Sequence, residues 1–412
     1  MPFGNGRHSD PLSLSPVPDR RIPSAVWALG FVSLLMDTSS ELIHSLLPVF
    51  LVTSLGASAL MVGVIDGLGE ATALIVKVFS GVLSDYWGKR KPLALVGYGL
   101  GALSKPLFAL ATSAGMVVVA RLVDRVGKGI RGAPRDALVA DIVLPEVRGA
   151  AFGLRQALDT VGAFLGPLLA MGLMLLWAND FRAVFLAAIV PGFLAVALLF
   201  FGVHEPQKQP GQHAVNPIRR ESLRRLSRSY WWVVGIGAAF TLARFSEAFL
   251  ILRALQGGLP LAYTPLVLIG MNAVYAPSAY PFGKLSDRIS HGRLLALGVA
   301  VLIGADLVLA FGADWIWIAV GIALWGLHMG ITQGLLATMV ADTAPADLRG
   351  TAFGFFNLMS GFATLLASVL AGVLWDRFGA SFTFVAGAGF SAIALAAVVW
   401  RGSINQGVHS DA

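Results

Sequence analysis

No cysteine occurs anywhere in the 412 residues. Disulfides, thiol catalysis and cysteine-ligated metals are therefore excluded. Charge is scarce too: 13% of residues are charged, where a soluble domain carries about 25%. The seven histidines are scattered, so neither a metal cluster nor an activated nucleophile with its base is indicated, and no enzyme is expected. Residues 1–23 are polar and proline-rich, with no apolar stretch before a cleavage site. They read as an N-terminal tail, with the first helix as an uncleaved anchor.

What the chain does have is apolar length. Hydrophobic residues make up 56% of it and the mean hydropathy is +0.75, the composition of an integral membrane protein. Segments of about 20 residues, enough to span a bilayer, can be placed at 25–52, 60–83, 92–112, 114–142, 149–177 and 183–203. Six more follow at 230–256, 261–282, 293–312, 315–341, 350–374 and 381–400. The expected fold is all-α, with twelve transmembrane helices in two pseudo-symmetric six-helix bundles, 24–203 and 230–401. A linker at 204–229 and a C-terminal tail at 402–412 complete the organisation.

An internal duplication supports the division into halves. Gly81-Val-Leu-Ser-Asp85 is followed by Gly88, Lys89, Arg90 and Lys91; Gly283-Lys-Leu-Ser-Asp287 is followed by Arg288, Gly292 and Arg293. A second pair lies at the same offset. Asp141, Arg148, Gly149 and Phe152 match Asp342, Arg349, Gly350 and Phe353. Repeated halves in a membrane protein usually enclose a transport path.

The net charge of +7 does not indicate a nucleic-acid partner, because the cations fall in segments on one side of the expected topology. They are Arg7, Arg20 and Arg21 in the tail, Lys89 to Lys91 in the first signature loop, and Arg219, Arg220, Arg224, Arg225 and Arg228 in the linker. The opposite loops, near 53–59 and 111–115, are short and nearly uncharged. This positive-inside bias predicts a multi-pass protein of the cytoplasmic (inner) membrane with both termini in the cytoplasm. Ile218, Leu223 and Leu226 among the linker arginines suggest a short helix lying on the inner leaflet.

These motifs resemble the major facilitator superfamily along essentially the whole chain. Gly81, Asp85, Gly88, Lys89 and Arg90 match its loop signature between the second and third helices, and Gly283 and Asp287 begin the weaker copy between the eighth and ninth. The resemblance implies a cytoplasmic gate at Gly81, Asp85, Gly88, Arg90, Gly283 and Asp287. In the fifth segment Gly153, Gly162, Gly166 and Pro167 resemble the glycine spacing and Gly-Pro kink of the superfamily's antiporters, although Ala170-Met171 replaces the next glycine pair. Small residues at these positions are equally what close helix packing needs. The fourth segment departs from the family's Arg-x-x-Gln-Gly and reads Arg121-Leu-Val-Asp124-Arg125.

Charges inside spans cost at least ~2.5 kcal/mol each, so they must face partners or a water-filled cavity. Arg121, Asp124, Arg125, Lys128, Arg131, Arg135 and Asp136 fall within an arc of roughly 140° on one helix. Asp37, Glu41 and His44 share a face of the first segment, and Asp66, Glu70 and Lys77 a stripe of the second. Arg155 lies one turn from Asp159, and the seventh segment carries Arg244 and Glu247, with Ser246-Glu247 roughly where the repeat places Ser40-Glu41. The expected cavity and proton-coupling residues are Asp37, Glu41, Asp66, Glu70, Arg121, Asp124, Arg125, Lys128, Arg244 and Glu247. Among them Glu41 and Glu247 stand out as carriers, partnered by Arg121 and Arg244. Arg121 with Asp124 also reads as a structural pair, and His44 with Asp37 and Glu41 as a weak metal site.

The resulting expectation is a monomeric secondary transporter exchanging or exporting a small solute by alternating access, driven by the proton gradient without a cofactor. Three cargoes fit: an amphiphilic drug-like compound, an anionic metabolite or metal chelate, and a metal cation. The arginine stripe leans towards carboxylate or phosphate groups. A transport-inactive receptor is the rival reading.

Overall fold

A computed structural model describes residues 22–144, 147–205, 225–286, 288–345 and 348–410, without the side chains of Asp85 and residues 400–410. In the first half α1 (Ser24–His44) and α2 (Leu47–Thr53) form the first span. α3 (Ala59–Trp87), α4 (Lys91–Ala109), α5 (Ala114–Ile142) and α6 (Arg148–Leu176) follow, and α7 (Phe181–Ala187) with α8 (Ile189–Gly202) makes the sixth. In the second half α9 (Arg228–Ala243) and α10 (Ala248–Gln256) form the seventh span. A 3₁₀ turn at Leu261–Tyr263 leads to α11 (Leu266–Ser286), α12 (His291–Phe311), α13 (Trp315–Thr343), α14 (Arg349–Phe378) and α15 (Ala380–Ser410). No strand occurs among the described residues.

Nine of the twelve segments are long and apolar enough to cross a membrane by themselves. The other three have visible reasons for falling short. α4 carries Lys91, Lys105 and two prolines, α5 carries the ionic stripe, and α11 contains Asn272, Pro277 and Pro281. On the end opposite the termini, helix starts are closed by short polar side chains. Ser58 accepts the Met61 N–H, Ser113 that of Met116, Asp180 those of Arg182 and Ala183, and Asp314 those of Ile316 and Trp317. Each cap satisfies N–H groups that have no partner within the helix.

Packing is duplicated. In the first half α1 packs on α6, α5 on α3 and α4, and α8 on α1 and α4. In the second half α9 packs on α14, α13 on α11 and α12, and α15 on α9 and α12. The halves meet where α3 lies against α14, α6 against α11, and α2 against α10. α3 and α14 approach closely: a Cβ on Gly63 would sit 2.2 Å from the Ser368 carbonyl oxygen, and one on Gly372 2.5 Å from the Leu60 Cα. Asp376 of α14 then caps α3 from the other half, its carboxylate accepting the Ala59 and Leu60 N–H groups, both at 3.0 Å.

The apolar core records where the halves join. One buried cluster contains Leu42, Phe50, Val62, Phe108, Val117, Met174 and Phe185, all towards the end opposite the termini, together with residues from Leu226 to Val398. A separate cluster, including Val26, Leu29, Tyr98, Leu138 and Leu199, fills the terminal end of the first half alone. The halves therefore share a core at one end and not at the other.

Two details differ from expectation. Leu226 belongs to the buried core, not to a surface helix, because Ser227 starts α9 directly after it, accepting the Tyr230 N–H and donating to the Thr343 carbonyl. Ile218 and Leu223 lie outside the described residues. α15 continues to Ser410, through the segment expected to be a tail, since nothing between 401 and 410 removes a backbone N–H as proline would.

Candidate functional site

The first and seventh segments are both broken near mid-span. α1 ends at His44 and α2 begins at Leu47, with Pro48 in its first turn; α9 ends at Ala243, where Arg244 turns extended, and α10 begins at Ala248. The offset that carries Asp141 to Asp342 also carries Ser45 to Ser246, so the breaks correspond. Ser246 and Glu247 thus match the break after His44, more than a turn beyond the Ser40-Glu41 position the sequence suggested. Broken helices expose polar backbone at membrane depth and are where transporters gather binding groups.

Asp66 on α3 is the junction of these elements. Its carboxylate accepts a close hydrogen bond from Arg121 of α5 on one oxygen and the Ser246 hydroxyl on the other. His44 Nε2 lies 3.4 Å from the first oxygen, and His44 Nδ1 lies 3.2 Å from Glu41. Ser246 also accepts the Ala248 N–H at 3.0 Å, so the residue that leads into α10 reaches across to the first half. One buried carboxylate thereby gathers four segments, and one of its bonds crosses between the halves.

The remaining ionic side chains pair within the first half. Arg125 binds Glu70 at 3.1 Å, and Lys105 binds Asp124 at 2.7 Å while donating to Ser40 at 3.0 Å. Arg131 reaches Asp37 at 3.7 Å and lies over the Tyr98 ring. Arg135 meets Asp136 at 3.1 Å and Asp159 at 3.5 Å, and Arg155 approaches the same two acids at 3.7 Å. Arg121, Asp124, Arg125, Arg131, Arg155 and Lys105 are all buried. Burying a charge is tolerable only when a partner offsets the lost hydration.

Several expected pairings are corrected by this geometry. Arg121 serves Asp66, neither Glu41 nor Asp124, because α3 and not α1 lies against that face of α5. Asp124 is held by Lys105 from α4, with Arg125 Nε at 3.7 Å. The trio of Asp37, Glu41 and His44 is not assembled, since Asp37 turns to Arg131 while His44 is occupied by Glu41 and Asp66. Lys128 is exposed, and Arg244 and Glu247 are half-buried without an ion pair among the described residues. Lys105, His44, Ser246, Arg131, Arg135, Asp136, Arg155 and Asp159 belong to the network although they were not among the expected cavity residues. Spacing on the chain could not name the partners of Lys105 and Ser246, because each acts across a helix interface.

The gate loop follows directly from the end of α3. α3 ends at Gly88, in the left-handed region at φ +66°, which turns the chain towards α4. Arg90 then binds Asp141 on α5 at 2.6 Å and Ser84 at 3.1 Å, and its N–H closes on Glu205 after α8. These contacts tie segments of the first half to one another. In the repeat, His291 lies 3.9 Å from Asp342 at the corresponding place. Gly81 has only Ala133 near it, and nothing lies within 4 Å of where a Cβ on Gly283 would be. The Asp85 side chain and Asp287 lie outside the described residues.

α6 runs unbroken through Pro167, with Gly162 and Gly166 against α1. A Cβ on Gly162 would sit 2.4 Å from the Leu34 carbonyl oxygen, and one on Gly166 2.8 Å from the Glu41 Cβ; Gly153 has nothing within 4 Å. Two of the three glycines therefore serve close packing beside the junction.

The model of the Major Facilitator Superfamily matches residues 29–368. An uncharacterized MFS-type transporter of Methanocaldococcus jannaschii is 34% identical over 375 residues, covering 90% of this chain and 92% of that protein. Multidrug resistance protein MdtH of Klebsiella pneumoniae is 27% identical over 344 residues, covering 81% of this chain and 82% of that one. In fold, the crystal structure of the nucleoside transporter NupG matches with a TM-score of 0.75 at 13% identity, covering 92% of this chain and 98% of that chain.

Proposed function

Because the chain belongs to the major facilitator superfamily, we propose that it is a secondary active transporter that exports a small solute by alternating access, coupled to protons. The observation that carries this reading is Asp66, which holds Arg121 and His44 within one half and Ser246 across to the other. A proton on Asp66 removes the charge that retains Arg121 and weakens the link to Ser246. Protonation and contact between the halves are then one event. Glu41, on His44, and Glu247, next to Ser246, extend the path on either side.

The shared core at the end opposite the termini supports a conformation sealed there, while towards the termini α3 and α14 stay in contact as far as Val78 and Gly354 without a shared buried core. With the positive-inside bias, that sealed end is periplasmic and the termini are cytoplasmic, in the inner membrane. Outward direction rests on the likeness to a multidrug resistance protein. The arginine stripe no longer argues for an anionic cargo, since Arg121, Arg125, Arg131 and Arg135 are each answered by a carboxylate. An amphiphilic compound is the cargo this balanced interior suits best.

The test is transport of a panel of amphiphilic dyes in proteoliposomes under an imposed pH gradient, after a ligand screen by thermal stabilisation at several pH values. Asp66→Asn should lose gradient-driven accumulation while retaining downhill exchange, and Glu41→Gln or Glu247→Gln should impair accumulation in the same sense. If all three variants concentrate dye like the parent, the coupling mechanism is wrong.

A further inference from the structure

The second half holds a fully buried acid that the ionic network does not reach. Asp306, on α12, is fully buried, and neither carboxylate oxygen has a hydrogen-bond partner among the described residues. Its surroundings follow from the duplication. The offset that carries Asp141 to Asp342 carries Lys105 to Asp306 and Asp124 to Trp325. In the first half those positions form the buried 2.7 Å ion pair between α4 and α5. In the second half the cation has been replaced by an acid and the acid by an indole, on the corresponding pair α12 and α13.

Among the described residues no cation pairs with Asp306; Arg253 of α10, which also reaches α12, donates to the Leu309 and Gly312 carbonyls instead. α13 carries His328 as its only buried ionisable side chain, and its Nδ1–H donates to the Gly298 carbonyl at 2.9 Å. α15, the other helix packed on α12, has no ionisable residue between 380 and 399. It brings Gly387 to the site, where a Cβ would lie 2.9 Å from Asp306 Oδ2 and equally close to the Phe245 ring. Arg244 and Glu247 flank Phe245 in the chain, and neither forms an ion pair with Asp306. Phe245 in turn packs on Trp325 and Phe384 at 5.5 and 5.4 Å between centroids. Three further buried polar atoms nearby on these helices also lack a partner among the described residues: Trp325 Nε1, His328 Nε2 and Ser391 Oγ, the last one turn beyond Gly387.

An ionised carboxylate in such a setting has no paired charge and no hydrogen-bonded donor, and the neutral acid loses far less by burial than the ionised one. We propose that Asp306 is a proton-binding site of the second half, separate from the network around Asp66. The aromatic wall and the small Gly387 leave the carboxyl enclosed but uncrowded by any competing cation. The site stands on the purified protein alone, independently of cargo or direction.

Infrared spectroscopy of the purified full-length protein at neutral pH tests it. The parent should show a protonated-carboxyl stretch, sensitive to deuterium exchange, that is lost in Asp306→Asn and shifted in Asp306→Glu. Sodium chloride added at constant pH should leave the band in place. Retention of every protonated-carboxyl band in Asp306→Asn overturns the proposal, and so does removal of the band by sodium, which marks a metal cation in the proton's place. If the Asn variant does not fold, the Glu variant and the sodium titration of the parent decide by the same criteria.

Discussion

Lys105 and Asp124 show how narrowly a charge is tolerated inside this bundle. Both are buried, and their 2.7 Å contact is the main compensation each has for lost hydration. Removing one partner leaves the other charged and alone, which costs about 3–5 kcal/mol in buried pairs, whereas replacing both with apolar residues can be neutral. Lys105→Met should therefore lower the thermal unfolding midpoint in detergent sharply. The double variant Lys105→Met/Asp124→Leu should recover most of the loss. Failure of that recovery indicates that the bonds to Ser104 and Ser40 matter more than the pair itself. Arg90 is a different case, because it ties a loop to Asp141 and the chain near Glu205 at the membrane edge. Arg90→Ala is expected to slow turnover while leaving ligand-induced stabilisation intact.

Among the elements, the contact of α6 with α1 is the most sensitive to side-chain size. Gly162 lies against the backbone of Leu34 and Gly166 against Thr38, Glu41 and Leu42, so an added methyl group forces the helices apart. Overpacking of this kind costs about 1–3 kcal/mol. Gly162→Ala should lower thermal stability by an amount in that range, and Gly153→Ala, with open space around it, should not. Equal effects at the two positions would point to backbone flexibility in α6 as the glycines' purpose. The Gly-Pro spacing was visible in the chain. That only its later glycines pack on α1 was not, because helix rotation about its axis is fixed by neighbours.

Across the whole molecule, alternating access requires α3 and α14 to separate at some stage. A Cβ on Gly67 would lie 3.1 Å from the Ser368 Cβ, so a small outward shift of the helices brings the pair to the roughly 3.5–4.5 Å that a disulfide needs. The natural chain has no cysteine, so Gly67→Cys/Ser368→Cys introduces the only pair. Oxidation should arrest dye transport and a reductant should restore it. Undiminished transport by the oxidised protein means that the halves move without parting here. Topology is checked separately with reporters. One fused after Asn179, in the turn between α6 and α7, should read as periplasmic, and one within 207–216 as cytoplasmic.

The sequence by itself determined the properties that depend on runs of neighbouring residues. Twelve spans, the repeat and the side carrying the cations all follow from hydropathy and spacing, since a helix in lipid satisfies its own backbone and needs no partner to be recognised. It also showed that charges crowd the first half. Which acid meets which base was decided by tertiary structure alone. Arg121, Arg125 and Arg131 share one face of α5, yet they pair with α3 and α1 according to the helix that each turn meets. The crossing bond from Ser246 to Asp66 joins residues far apart in sequence, and its existence depends on the break in the seventh segment meeting α3 of the other half. Asp306 makes the same point in reverse: that neither of its carboxylate oxygens finds a hydrogen-bond partner among the described residues is visible only once its neighbours are packed around it. An ion pair is a property of two surfaces, and a linear chain specifies each surface without specifying how they meet.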